Sequence, residues 1–194
     1  MITGDAHAGW NGSGDRVPLL RPMGQPGDRE RLRDFCPRVS AQSRRLRFHG
    51  VLNELSEPLL DQLMDVDHHH REALVALDGD RFVGVARYAV VPGTPDLAEV
   101  TVLVADAWQR RGVAARLMTE LRETATGRGI RRFKASVLPH NDRARRLIGA
   151  FAPGHEVVRD EDALEFRWNL PTPADDTVGR RPTAGAPRCT PGRA

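Results

Sequence analysis

The chain has 194 residues, 40% of them hydrophobic, with a formal net charge of +3 and two cysteines. That length suits one domain plus tails, and a charge so close to balance does not mark a nucleic-acid binder. No apolar run approaches the ~20 residues that span a bilayer, and the opening MITGDAHAGWNGSGD has no basic-then-apolar leader pattern, so neither a membrane nor a nucleic acid is expected as a partner. Cys36 and Cys189 form no CxxC pair and no dense framework, which argues against disulfides and structural zinc and fits a reducing cytoplasm.

Apolar residues are unevenly spread. Residues 1–38 and 171–194 are rich in Gly, Pro, Arg and Asp and poor in branched aliphatics, so both are expected to be disordered tails around a domain at 39–170. Within that domain, SAQSRRLRFHG reads as a short helix broken at Gly50. SEPLLDQLMD, Ser56 to Asp65, reads as a helix capped by Ser56, with Leu59, Leu60, Leu63 and Met64 forming an apolar stripe. EALVALDGDRFVGVARYAVV places two apolar runs around Asp78-Gly79-Asp80, a hairpin signal, and Pro92, Gly93 and Pro95 end the second strand. LAEVTVLV, residues 97–104, is rich in β-branched residues and reads as a third antiparallel strand.

The rhythm then becomes helical. Val113, Ala114, Leu117, Met118 and Leu121 share a face in a helix stopped by Gly127 and Gly129. RRFKASVLP is a strand, Asn141 to Phe151 a short helix, and HEVVRD with ALEFRWNL a closing hairpin. This order predicts an α/β (α+β) fold. Its central sheet is mostly antiparallel, with one parallel strand–helix–strand crossover over 97–138 and flanking helices.

The junction Val104 to Ala114 carries the chemistry. A strand ends at Val104 and Gln109-Arg110-Arg111-Gly112-Val113-Ala114 opens a helix. Helix N-termini leave N–H groups free, the helix dipole favours anions there, and small residues let a phosphate approach the backbone. Arg110 and Arg111 add positive charge, so this is a way to hold a pyrophosphate without a metal. The plain alternative is an ordinary strand–helix turn with a glycine and some arginines. GxxxxGK[ST] and GxGxxG are both absent, which excludes a P-loop and a dinucleotide fingerprint.

Gln109 to Ala114 resembles the Gln/Arg-x-x-Gly-x-Gly/Ala signature of GNAT acetyltransferases, in its proper setting after a strand and before a long helix. Asn141, Ala144, Leu147 and Ala150-Phe151 are similar to the second GNAT motif, with Ala150 where Gly is usual. The resemblance covers roughly residues 40–170. Within the superfamily the chain resembles bacterial Pat-type protein lysine acetyltransferases, through Ser43 to Phe48 and through Ala98-Glu99-Val100 followed by Val104-Ala105-Asp106.

That resemblance implies acetyl-CoA as cosubstrate, no metal, and a lysine amine as acceptor. The acceptor would belong to a protein such as an acyl-CoA synthetase; a small-molecule amine and a non-catalytic acyl-CoA-binding module are the alternatives. It implies phosphates on the amides of 109–114, pantetheine along Leu103 and Val104, and a contact from Asn141. Glu99 is the candidate general base. Alternation puts it on one strand face with Thr101 and Leu103, where an apolar sheet would raise its pKa; the alternative is a surface glutamate paired with an arginine. Arg47 and Phe48 either gate the acceptor site or pack their helix. The tyrosine that many GNATs use as an acid has Ile148 at its place, and the only tyrosine is Tyr88. His68-His69-His70 is expected to be a solvated loop, since consecutive side chains diverge too far to share a metal.

Overall fold

The computed structural model describes residues 17–160 and 162–171. In chain order they form β1 (Leu19–Pro22), α1 (Asp28–Phe35), α2 (Ala41–Phe48), α3 (Glu57–Met64), β2 (Arg71–Asp78), β3 (Arg81–Val91), β4 (Thr94–Val104), α4 (Val113–Gly127), β5 (Arg132–Val137), α5 (Asp142–Phe151), β6 (Glu156–Asp160) and β7 (Ala163–Asn169). Short 3₁₀ turns at Cys36–Arg38 and Asp106–Trp108 complete the set. The strands make one sheet in the order β1-β2-β3-β4-β5-β7-β6. Every pairing is antiparallel except β4 with β5. This is the mixed α/β arrangement with a single parallel pair that the element order predicts.

The β2–β3 turn places Gly79 at φ +58, and Asp78 pairs with Arg81. Pro92 and Gly93 (φ +76) turn β3 into β4, with Val91 opposite Thr94, so Pro95 lies inside β4 rather than ending a strand. Ser56 sits at the α3 N-cap, but its hydroxyl makes no capping bond. Ser40 and Asn141 do cap: they accept from Ser43 N at 3.2 Å and Ala144 N at 3.1 Å.

Two cores lie on opposite faces of the sheet. On one, α4 buries Val113, Leu117, Met118 and Leu121 of the predicted stripe, with Ala125 added and Ala114 only half-buried, against Ala86, Tyr88, Val100 and Phe133. Each fully buried leucine there contributes about 1.5–3 kcal/mol. Close approach is possible because β3 carries Gly84, where an added Cβ would lie 3.0 Å from Leu117 Cδ1 and 3.2 Å from Val113 Cγ1. On the other face, α1 and α3 cover Val75, Leu77 and Phe82.

The expectation of a disordered segment over residues 1–38 fails for 17–38. β1 adds a strand to the sheet edge and α1 buries Leu32 and Phe35, with Met23 and Cys36 beside them. The segment is polar on average, yet its few large apolar residues fall together on one face. Asp28, 0% exposed, fixes it. Its carboxylate accepts from Arg21 at 2.7 and 2.6 Å and from the Gly24 and Gln25 amides at 3.0 Å each. Burial would raise its pKa, but the Arg21 guanidinium and the two amides outweigh that and hold it below the usual carboxylate range. Residues 1–16 of the expected N-terminal tail, and 172–194 of the C-terminal one with Cys189, lie outside the described residues.

The histidine run is a turn built by Asp67. Its carboxylate accepts the N–H groups of Arg71, His69 and His70 at 2.8, 2.9 and 2.7 Å, and these bonds, Arg71's foremost, lower its pKa to about 2. His68 turns the other way, bonding Glu72 at 2.9 Å. Glu72, 1% exposed, pairs with Arg128 at 2.7 Å, and Arg128 also donates to the Tyr88 hydroxyl. This network ties β2 and β3 to the end of α4. Among the described residues no group of three or more His, Cys, Asp or Glu could hold a metal.

These contacts predict a stability pattern. Asp28→Ala leaves Arg21 partly buried without its anion and lowers stability by about 3–5 kcal/mol. Truncation through residue 38 removes Met23, Leu32, Phe35 and Cys36 and abolishes cooperative melting. Both Asp28 and Asp67 have depressed folded-state pKa values. Their stabilisation is therefore complete above the unfolded carboxyl pKa of about 3.9 and is lost as the pH falls toward the folded values. Thermal melts taken downward from about pH 5 check this, and the Asp28→Asn variant shows a smaller acid loss than the wild type.

Candidate active site

β4 and β5 pair through only three positions, Leu97 with Arg132, Ala98 with Phe133 and Glu99 with Lys134. β4 then runs on to Val104 beside β3, and β5 to Val137 beside β7, without further pairing to each other. The strands part at Glu99, and a cleft opens between them, floored by α4 and α5. Its main cavity, about 400 Å³, is lined by Val102 to Val104 of β4, by Trp108 to Arg110 and Gly112 to Ala115 of the loop and α4, and by Asn141, Ala144 and Leu147 of α5. A smaller chamber of about 80 Å³ continues it inward past Thr101, Ser136 and Trp168.

The loop before α4 has the geometry of an anion cradle. Arg110 and Gly112 both adopt left-handed conformations, φ +63 and +77. The first bond closing α4 runs from Arg116 N to Gly112 O, 3.0 Å. The amides of Val113, Ala114 and Ala115 are therefore left without helical acceptors. A Cβ on Gly112 would meet nothing within 4 Å, so the backbone there faces open space. Arg110, Arg143 and Arg146 line the same cavity. Free amides, a helix N-terminus and three guanidinium groups suit a pyrophosphate.

The expected cofactor residues divide into distinct roles. Val104, Arg110, Gly112 and Ala114 line the main cavity; Leu103 does too and reaches the opposite face of the sheet. Val113 is buried in the core, 2% exposed, so only its backbone faces the cradle. Arg111 does not line the cavity; its guanidinium lies 5.3 Å from the Trp108 ring centroid. Gln109 is a strut. Its amide group donates to Ser43 Oγ at 3.2 Å and Val104 O at 3.0 Å, it accepts from Arg143, and its own N–H bonds Asp106 O. Asn141 uses Oδ1 to cap α5 while lining both chambers.

Spacing alone gave no reason to link α2 to this loop. Asp106 holds it there, accepting Ser40 N at 2.7 Å and the Ser40 and Ser43 hydroxyls at 2.9 Å each. Burial opposes its charge, but these serine donors outweigh burial and lower its pKa. The two segments that resemble Pat-type enzymes, Ser43 to Phe48 and the strand ending at Asp106, are thus in contact. Docking α2 brings Leu46 and Arg47 to the cleft. Arg47 lies 4.8 Å from the Phe48 ring centroid, while Phe48 packs in the α1/α3-side core. Burial and the Arg87 charge push the Arg47 guanidinium down to about 10, opposed by Glu99, so it stays charged at neutral pH.

Glu99 stands where the strands part, on the α2-side face with Thr101 and Leu103. It is exposed, so the expectation of a carboxylate pressed against an apolar sheet is not met. No ion pair joins it to an arginine among the described residues, although it lies near enough to Arg47 to favour that guanidinium's charge. Ile148 is buried, and Tyr88 is enclosed in the Glu72–Arg128 network with its hydroxyl donated to His69 O at 3.0 Å.

Comparison with known proteins settles the class. Residues 40–151 match the model of the acetyltransferase (GNAT) family. The chain belongs to the GNAT acetyltransferase family. It is 42% identical over 151 residues to the acetyltransferase PA5475 of Pseudomonas aeruginosa, covering 76% of this chain and 79% of that one. It is 31% identical over 165 residues to the acetyltransferase Pat of Mycolicibacterium smegmatis, covering 84% of this chain but only 48% of that protein. Among solved structures, the GNAT domain of S. lividans PAT superposes with a TM-score of 0.72 at 32% identity, covering 78% of this chain and 89% of that one. Acetyl-CoA is the cosubstrate of this family, and the free amides and guanidinium groups of the cradle fit its phosphates.

Two variants test the site. Gly112→Val places a side chain in the open space of the cradle and weakens CoA binding at least about tenfold, read by calorimetry. The fold survives, at a cost of about 1–2 kcal/mol for a left-handed branched residue. Unchanged affinity would remove the loop from the site. Asp106→Ala frees α2 from the cleft; losing three hydrogen bonds lowers stability by about 2–3 kcal/mol and weakens CoA binding as well.

Proposed function

We propose that the protein transfers an acetyl group from acetyl-CoA to a lysine amine of a protein, with Glu99 as general base. One observation carries this reading: Glu99, exposed, is the last β4 residue paired with β5, where the strands part, and it forms no ion pair with an arginine among the described residues. An ammonium approaching from the α2 side meets this carboxylate before it reaches the cleft. The likeness to the S. lividans and M. smegmatis Pat proteins supports a protein acceptor, such as an acyl-CoA synthetase by resemblance. A cytoplasmic setting goes with this reading and with the free, buried Cys36.

Each residue has a defined task. Acetyl-CoA supplies an acyl group activated as a thioester. The amides of 113–115 and the nearby Arg110 hold phosphate, and the unpaired edge of β4 from Val102 to Val104 offers backbone groups to pantetheine. Asn141, capping α5, contacts the cofactor from the opposite wall. Glu99 takes the proton from the acceptor ammonium, directly or through one water, leaving the neutral amine that forms the new N–C bond as the C–S bond breaks. No tyrosine is placed to protonate the departing thiolate, and a CoA thiol is acidic enough to leave unassisted.

Glu99→Gln therefore lowers kcat by about 10²–10⁴-fold, the usual worth of a positioned base, with CoA affinity unchanged. The wild-type rate climbs toward alkaline pH with an apparent pKa that the variant lacks. The deficit shrinks at high pH, where free amine is abundant. Steady-state rates on a lysine-containing protein across pH decide the matter, and near-wild-type kcat at neutral pH would remove Glu99 from the mechanism.

A further inference from the structure

Three cavities meet at one residue. Arg47 lines the main cleft, the inner chamber, and a third cavity of about 30 Å³ on the α2/α3 face. Thr101 lines the inner chamber and the third cavity, and its buried hydroxyl has no hydrogen-bond partner among the described residues. Arg47 makes no hydrogen bond or ion pair among the described residues; its guanidinium lies over the Phe48 ring, and Glu99 is near enough to favour its charge. Arg47 and Thr101 thus open onto the same small space, whose inner part is also lined by Ser136, Asn141 and Trp168. Arg87 lines the third cavity as well, bonded to Leu63 O and Gln62 O at 3.3 and 3.4 Å, so it adds positive charge there while its donors are engaged.

A half-buried guanidinium without a hydrogen-bond acceptor is costly, and a buried hydroxyl without a partner is too. Both costs are relieved by a carboxylate, which accepts two parallel bonds from arginine and a third from threonine. The CoA phosphates do not reach the two chambers that Arg47 shares with Thr101, because Arg110 and Gly112 of the cradle line the main cavity only. The acetyl group carries no charge. Thr101 follows Glu99 by two residues on the same strand face, so the vacant anion position lies beside the proposed base, on the acceptor side.

Resting on the lysine-acetylation reading, we propose that Arg47 and Thr101 form a carboxylate-recognition site for the acceptor: the enzyme selects an amine with a carboxylate close by, as in a lysine flanked by an acidic side chain. Such an acceptor is bipolar. Its ammonium faces Glu99 and its carboxylate faces Arg47, so the opposed charges orient the amine as well as select it. A lysine with basic neighbours meets Arg47 and Arg87 as like charges and is rejected.

Binding is read apart from turnover. Fluorescent peptides with one lysine flanked by aspartates, by serines or by arginines are titrated into the full-length protein loaded with CoA, with anisotropy as the readout. The wild type binds the aspartate peptide about tenfold or more tighter than the serine peptide. Arg47→Met abolishes that ratio, and Arg47→Glu shifts the preference to the arginine peptide. Thr101→Val reduces the ratio severalfold and Thr101→Ser restores it, which a packing role would not do. Cooperative melting confirms that each variant is folded. Equal wild-type affinities for the three peptides, or a ratio that Arg47→Met leaves intact, overturn the site. Arg47-dependent binding of the aspartate peptide without its acetylation upholds the site and refutes the lysine reading. Arg47-dependent binding of free β-alanine but of no peptide upholds it with a small amino acid as the acceptor.

Discussion

The parting of β4 from β5 after Glu99 is the constraint on which the rest depends. Two parallel strands that stayed paired would satisfy each other's backbone and leave no room for a ligand. Here pairing stops after three positions, and the freed edge of β4, from Val100 to Val104, becomes a wall with hydrogen-bonding capacity to spare. α4 enters at one end of the gap, bringing its unsatisfied amides. Glu99 marks the other end. The anion cradle and the proposed base therefore occupy opposite ends of a single strand segment.

A gap in a sheet invites collapse, and polar struts hold this one open. Asp106 fastens α2 through three serine donors, and Gln109 spans from Ser43 and the Val104 carbonyl to Arg143 on α5. These side chains border the cleft without needing to touch the reacting atoms. Farther out, Glu72 with Arg128 and Asp28 with Arg21 fix the flanks through buried ion pairs whose hydrogen bonds are well supplied. Pairs of this kind add little net stability, but each leaves a charge stranded if it breaks, so they enforce one arrangement of the layers.

Family membership defines the reaction class and leaves the acceptor to the local surface. The chain spans about half the length of the M. smegmatis Pat protein, so what the remainder of that protein contributes has no counterpart in the residues compared.

By itself the sequence determined the elements with strong periodicity and the loop with strong local chemistry. The α4 stripe, the Gly79 hairpin and the Gln109-to-Ala114 junction were all legible, because helix rhythm, turn residues and anion-binding backbone are properties of neighbours in the chain. Only the tertiary structure decided the status of residues 17–38. A few apolar side chains there gain their partners, Phe82 and Val75 among them, from strands far along the chain. It also turned Gln109 from an expected phosphate contact into a brace, since its partners come from three different elements. The environment of Glu99 was misread for the same reason. Alternation correctly gave its face of the strand, but exposure depends on what covers that face, and α2 stops short of covering Glu99. Arg47 and Thr101 could not have been paired from spacing at all, because a helix and a strand more than fifty residues apart meet only once Asp106 has drawn them together.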